Sequence, residues 1–353
     1  MEREIVESQV RRILELYGYR EIRTPVLTED IWATDNKSSF LKKEGKNFSL
    51  RPEITSEILK NIRFEGIPIR VFYMGPIFDF KDEVEEKFQI GWELIFPPSR
   101  WRDIEIILTI KDVFDTFNLE DFKLELNDIR VWNSVWSCIE NSEEIKKLKG
   151  YLKKRDYVSF LEEMTGKVPS SLQKDIKNML FYEEDAKFES EEISFQLEEL
   201  KSLKKELIEF GFREDSIILN PSFFRSFGYY DGIIFELYVK DMKGPLGGGG
   251  SYIESNKFGE KVYGVGFAFI EEKILDFLKE GKPLEKKKFF IVPSDFYASV
   301  YNLMKEEREN GFNSVFIPFD KNLDIEKLKK EGEVIFWRDK NDKDSNPHRT
   351  SSE

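Results

Sequence analysis

Residues 50–93 hold the side chains with chemistry to offer. The stretch reads LRPEITSEIL, then IPIRVFYMGPIFDF, then EKFQIGWE. An Arg-Pro-Glu turn opens a helix and sets Glu53 and Thr55 in its first turn. Two runs rich in Phe, Tyr, Val and Ile follow, broken by Gly75-Pro76 and Gly91, and they read as strands. Gln89 and Glu93 stand in the second run. Between the runs lies Asp79-Phe-Lys-Asp-Glu-Val-Glu-Glu, a strongly acidic connection. Strand, charged loop and strand together can hold a small polar ligand over a rigid sheet. The sign of the loop selects the ligand, since carboxylates repel phosphate where basic groups would grip it. Read by itself, Glu53 is also at ease without a ligand, because a carboxylate in a first helical turn is stabilised by the helix dipole.

The whole chain narrows the chemistry further. Its 353 residues suffice for two or three compact units, and 40% apolar content with 32 Phe supplies cores for them. The net charge of −13 argues against nucleic acid, because phosphate contacts need a basic face. Lys286-Lys-Lys reads as a solvated linker charge rather than an RNA patch. One cysteine, Cys138, permits no internal disulfide and fits a reducing cytoplasm. Beside Trp136 on an apolar helix, it is expected to be a buried small hydrophobe. No apolar run is long enough to span a bilayer, and the N-terminus lacks a signal-peptide core. The single histidine, His348, sits in a polar tail. That excludes histidine-based metal sites, catalytic triads and imidazole acid–base chemistry from the folded part. No metal and no cofactor is expected.

The elements that must position these residues follow from periodicity. Residues 2–18 have helical apolar spacing ending at Gly18, and residues 19–27 read as a strand with Pro25 suited to an edge or interface. Residues 44–47 read as a hairpin turn, 103–117 as an amphipathic helix, 122–126 as a strand and 131–139 as helix. Residues 141–215 are rich in Lys and Glu with few breakers and read as an inserted helical subdomain. β character returns from residue 216, through Gly228-Tyr-Tyr-Asp-Gly, the glycine run 247–250 and residues 262–269, with a helix at 271–280. Four glycines alone read as a flexible linker, whereas the flanking strand residues favour a backbone that passes close to another strand or a ligand. After the linker at residue 282, residues 286–338 alternate strand and helix as a small βαβαβ unit, and 339–353 read as a disordered tail.

The order of these pieces resembles the core of a class II aminoacyl-tRNA synthetase, in its histidyl branch. Gly18-Tyr-Arg-Glu-Ile-Arg-Thr-Pro-Val-Leu resembles motif 1, the dimer-interface strand. Leu50-Arg-Pro-Glu-Ile-Thr resembles the LRPEgT turn, and Phe72 through Glu93 resembles motif 2. Arg225-Ser-Phe-Gly-Tyr-Tyr-Asp-Gly resembles RGLDYYTG, Gly248-Gly-Gly-Ser-Tyr resembles GGGRY, and Gly266 through Lys273 resembles motif 3, GFAxGxER. The resemblance covers residues 2–280. It implies an α+β fold: an antiparallel sheet flanked by helices from residues 1–140 and 216–281, the helical insertion 141–215, and the α/β unit 286–338, similar to a shortened anticodon-binding domain.

The resemblance also implies roles for single residues. Glu53, Thr55 and Gln89 stand where the family holds the amino group of its amino acid. Glu93 and Tyr230, with Tyr229 and Arg225 alongside, stand where it meets the imidazole and the rest of the ligand. The nucleotide positions depart from the pattern. Asp79 stands where the family places its phosphate-gripping arginine, Glu85 at a second basic position, Lys273 at the motif 3 arginine, Ile270 at that motif's small glycine, and Ser251 at the arginine of GGGRY. Arg to Asp moves the local charge by two units, each worth about 4 kcal/mol at 4 Å and an effective dielectric near 20 before screening. No catalytic residue for adenylate formation is therefore expected.

A synthetase core without its ATP clamps is similar to the regulatory subunits of ATP phosphoribosyltransferase. These are catalytically dead histidyl-synthetase paralogues that partner a short-form catalytic subunit at the first step of histidine biosynthesis. The resemblance implies a self-dimer through motif 1, a hetero-octamer with the catalytic subunit, histidine feedback, and no nucleic-acid or membrane partner. The competing readings are a histidine–tRNA ligase with an atypical motif 2, and another amino-acid-binding class II paralogue.

Overall fold

The structure is a computed structural model. It describes residues 2–28, 40–43, 46–79, 85–117, 119, 122–225, 230–240, 242–275, 287–293, 296–310, 313–320, 323–331 and 333–336. The turn at 44–45, the acidic connection 80–84, Tyr229, the linker at 282, the end of the 271–280 helix, and the tail with His348 lie outside the described residues.

In chain order the elements begin with α1 (Glu2–Leu16), β1 (Arg20–Glu21), β2 (Leu27–Thr28), β3 (Phe40–Lys43), β4 (Lys46–Leu50) and α2 (Thr55–Asn61). Next come β5 (Ile69–Asp79), β6 (Glu85–Ile95), α3 (Arg100–Asp115), β7 (Phe122–Asp128) and α4 (Asn133–Trp136). The insertion supplies α5 (Ser142–Lys153), α6 (Tyr157–Met164), α7 (Ser170–Leu180) and α8 (Glu191–Glu209). The chain then forms β8 (Ile217–Leu219), β9 (Tyr230–Val239), β10 (Gly247–Ser255) and β11 (Lys261–Ile270). It ends with β12 (Lys287–Val292), α9 (Tyr297–Glu309), β13 (Asn313–Pro318), α10 (Ile325–Glu331) and β14 (Glu333–Phe336).

One eight-stranded sheet, ordered β1-β5-β6-β11-β10-β9-β7-β8, carries the fold. Its six inner strands are antiparallel, while β1 joins β5 and β8 joins β7 in parallel, so the sheet is mixed at its edges. Its two faces differ because side chains alternate along a strand. Trp92, Phe267, Phe269, Phe235 and Leu237 point to one face and are buried against α3, with Phe114 of that helix 5.9 Å from the Phe267 ring. The other face carries the polar residues described below.

Helix α1 buries Val6, Val10 and Leu14 on one stripe; the buried Tyr17 follows it, and the chain turns at Gly18, whose φ of +83° suits glycine. Residues 19–27 are not one strand. Only β1 and β2 pair, because the chain between them turns from the large sheet to the small sheet β2-β4-β3. The insertion has its own core around Trp132, Leu148, Phe160, Ile176 and Leu197, and the distal half of α8 returns to the main core through Leu200, Leu203 and Leu207. Cys138 is exposed, contrary to expectation. The helix there lasts one turn only, so the apolar spacing that would bury the thiol has nothing to continue on.

The C-terminal strands form a parallel sheet, β13-β12-β14, with α9 and α10 as the crossovers. This unit is seated on the main core. Phe290, Val292, Val300, Met304 and Phe316 belong to the same apolar cluster as α1 and α3. Arg70 makes a buried bidentate pair with Glu105 at 2.7 and 2.8 Å and also donates to the Phe316 carbonyl at 2.7 Å. Arg308 stacks on Tyr17, 3.5 Å from its ring centre, and Tyr17 donates to Asp112 at 2.6 Å.

Candidate functional site

The polar face of the sheet is built from alternate residues of four strands. On β6 they are Gln89, Gly91 and Glu93; opposite them on β11 stand Ile270, Ala268 and Gly266. Beyond lie Gly248, Gly250 and Tyr252 of β10, then Glu236 and Tyr230 of β9. The middle of this face is glycine and alanine, so the floor is shallow and the tall side chains stand around it. A Cβ at Gly266 would overlap the Glu93 carboxylate, and one at Gly248 would overlap the Arg225 guanidinium. The glycine run is strand, and its bare backbone makes room for neighbouring side chains.

Glu93 is the centre of the deep end and is 1% exposed. Thr55 donates to its Oε1 at 2.7 Å and Tyr252 to its Oε2 at 2.9 Å. Tyr73 lies 3.2 Å from the Thr55 hydroxyl, and since that hydroxyl spends its one proton on Glu93, Tyr73 is the donor to it. Burial pushes the Glu93 carboxyl up to about 8; the hydrogen bonds from Thr55 and Tyr252 oppose this, and the nearby charge of Glu53 adds to it. Burial likewise raises Glu53, which accepts from the Ser56 amide at 3.1 Å at the start of α2. Two carboxyls held above their ordinary range in one cavity suit a cationic ligand, whose charge would return them to the ionised form.

The other end is cationic. Arg225 pairs with Glu236 at 2.8 Å and lies with its guanidinium carbon 6.0 Å from the centre of the Tyr230 ring. Lys273 reaches across to the Pro245 carbonyl at 2.5 Å, with its pKa lowered by burial. The cavity between the two ends measures about 200 Å³ and is lined by Glu53, Thr55, Gln89, Glu93, Arg225 and Tyr230, with Ile270 and Lys273 at one end. Among the described residues the buried Gln89 Oε1 has no hydrogen-bond partner, so it can receive one from a ligand.

Six of the seven expected pocket residues therefore line one cavity, and Tyr229 lies outside the described residues. Of the five nucleotide positions that depart from the pattern, Ile270 and Lys273 line it, Ser251 does not, and neither do Asp79 and Glu85. These two face each other across the β5–β6 hairpin, four rungs from Gln89 or about 13 Å along the strand. Lys87 pairs with both, at 3.4 Å to Asp79 and 2.7 Å to Glu85, so among the described residues this rung sets two carboxylates against one lysine. Tyr252, Tyr73 and Glu236 complete the site and had no role assigned from sequence, although Tyr252 closes the quoted GGGSY motif. Ser251, where the family has arginine, instead meets Arg102 of α3 at 2.9 Å and donates to Asp103 at 2.9 Å. Among the described residues no group of three or more His, Cys, Asp or Glu is placed to hold a metal ion. No helix among them is long and apolar enough to cross a membrane.

A wide antiparallel sheet with a polar face over a glycine floor, crossed behind by α3, is the class II aminoacyl-tRNA synthetase fold. The family profile for histidyl-tRNA synthetase matches residues 1–274, and the chain belongs to that family. It is 27% identical over 359 residues to a histidine–tRNA ligase of Thermosipho melanesiensis, covering 90% of this chain and 81% of the ligase. It is 25% identical over 345 residues to an ATP phosphoribosyltransferase regulatory subunit of Desulforamulus reducens, covering 89% and 86%. A Bacillus halodurans structure described as an ATP phosphoribosyltransferase regulatory subunit/histidyl-tRNA synthetase superposes with a TM-score of 0.66 at 20% identity, covering 95% of this chain and 93% of that one. A chain of the ATP phosphoribosyl transferase (HisG:HisZ) complex from Thermotoga maritima superposes at 0.58 with 19% identity, covering 76% and 96%.

Proposed function

We propose that this chain is a non-catalytic regulatory subunit of ATP phosphoribosyltransferase that binds histidine in the synthetase-like pocket and partners a short-form catalytic subunit. The observation that carries this reading is the Asp79–Glu85 rung. Where the family pattern grips the α-phosphate with arginine, this chain holds two carboxylates and one lysine. Adenylate chemistry needs fixed positive charge at the developing phosphate, and this rung offers the opposite sign. The acidic, hydroxyl-lined pocket beside it is kept, and its two raised carboxyls suit an ammonium or imidazole group. Relatives named as regulatory subunits, and a neighbour solved within an enzyme complex, support the same reading.

The second reading is a histidine–tRNA ligase. It is favoured by the ligase relative at comparable identity and by the C-terminal unit, which resembles a shortened anticodon-binding domain. Calorimetry with L-histidine and, separately, with ATP-Mg divides the two. Histidine binding without ATP binding, lost in Glu93→Ala, is the expected result. Histidine-dependent ATP–pyrophosphate exchange would reinstate the ligase. Mixed with a short-form catalytic subunit at micromolar concentration, the chain should co-elute as a stable complex.

A further inference from the structure

Lys273, Ile270 and Pro245 line the cationic end of the cavity. Lys273 follows β11 on a short 3-10 turn, and its ammonium spans to the Pro245 carbonyl just ahead of β10. Ile270 stands beside it, directly opposite Gln89, on the rung nearest the hairpin that ends at Asp79 and Glu85. The volume left, about 200 Å³, falls below the roughly 300–1,000 Å³ of pockets that take cofactor- or drug-sized ligands. The charges are also ordered: Glu53 and Glu93 lie at one end, and Arg225 and Lys273, with Glu236 between them, at the other. That polarity matches a zwitterion, with its ammonium toward the carboxyls and its carboxylate toward the two cations.

We propose that the Lys273–Pro245 bridge, with Ile270 beside it, is a latch closing the hairpin end of the cavity. The site then takes a free zwitterionic α-amino acid and rejects one whose carboxyl carbon carries a bulky group through a substituted amide, ester or anhydride. This rests on the amino-acid reading of the pocket. It adds to that reading a steric block inside the cavity, separate from the repulsion at the hairpin. An extended carboxylate meets the lysine stem and the Ile270 side chain before it reaches Asp79.

Calorimetry on the full chain tests the latch with L-histidine, L-histidinamide and L-histidine benzylamide. The two amides carry the same charge and differ only in bulk beyond the carboxyl carbon. In the wild type the benzylamide should bind at least about ten-fold more weakly than histidinamide, a gap of roughly 1.4 kcal/mol. The double variant Ile270→Gly/Lys273→Ala should bring the two amides within about three-fold of each other by gaining benzylamide affinity. Lys273→Met keeps the stem and loses the bridge; it should move part of the way and serves if the double variant melts early. An amide ratio unchanged in both variants overturns the latch while histidine binding still stands. Wild type that takes both amides equally overturns it as well. Wild type that binds no L-histidine overturns the pocket reading, and the latch falls with it.

Discussion

The most consequential single residue is Glu93. The unfolded chain gives up this proton near the ordinary value of 4.5, whereas the folded chain holds it to about 8. Between those values the folded state binds more protons, so stability falls as pH rises, by up to about 1.4 kcal/mol per unit. The unliganded protein should therefore melt higher at pH 5 than at pH 8, and Glu93→Gln should flatten most of that slope. Glu271 acts in the same direction: it is fully buried with no hydrogen bond to either oxygen among the described residues, and burial raises it to about 7 against the opposing charge of Arg3, 3.7 Å away. The slope that survives in Glu93→Gln should then shrink further with Glu271→Gln, leaving the smaller part that the raised Glu53 carboxyl contributes. A wild-type melting temperature that rises from pH 5 to pH 8 would contradict both assignments. At this scale the carboxyls, Thr55 and Gln89 were legible because they sit in recognisable motifs. The hydroxyls of Tyr73 and Tyr252 were not, because a tyrosine in a strand points either to the core or to the site, and only the register decides which.

At the scale of the element, strands β10 and β11 are a floor whose flatness is encoded by period two. Gly266-Phe267-Ala268-Phe269 alternates small and aromatic, so the small residues face the cavity and the rings face α3. That alternation is readable in the sequence once the strand is assigned, whereas the partner each glycine accommodates is not. Gly266→Ala should push the Glu93 carboxylate from its hydroxyl donors and cost about 1–3 kcal/mol, as overpacking does. Thermal melting gives the cost, and calorimetry should show histidine affinity lost in parallel. An alanine variant with wild-type binding would mean that Glu93 has room to move without consequence. The broken strand at residues 19–27 was misread for a related reason. Its residues have strand propensity throughout, but the chain serves two sheets in turn, and propensity carries no information about which sheet a residue joins.

At the scale of the molecule, the C-terminal unit is part of the core rather than an appendage, which the linker-like lysines before it did not suggest. The Arg70–Glu105 pair lies where the unit meets the main sheet, and its third contact is the Phe316 carbonyl. Arg70→Ala would leave the Glu105 carboxylate buried and uncompensated, a loss of about 3–5 kcal/mol. Unfolding should stay a single transition in the wild type, because Phe290, Val292 and Phe316 share a cluster with α1 and α3. A separate early transition for residues 287–336 would show the seat to be weaker than its burial implies. The same seat has a consequence in time. Gly18, at the end of the first helix, packs against Val315, with barely 2.7 Å between that side chain and the place a Cβ would occupy. Residues 18 and 315 leave the ribosome far apart in time. Helix α1 thus emerges well before β13 and cannot complete its burial until that strand has left the exit tunnel. Until then the apolar stripe that α1 turns toward that strand stands open to chaperones or to a second nascent copy of the same chain, so assembly competes with closure while translation is still under way.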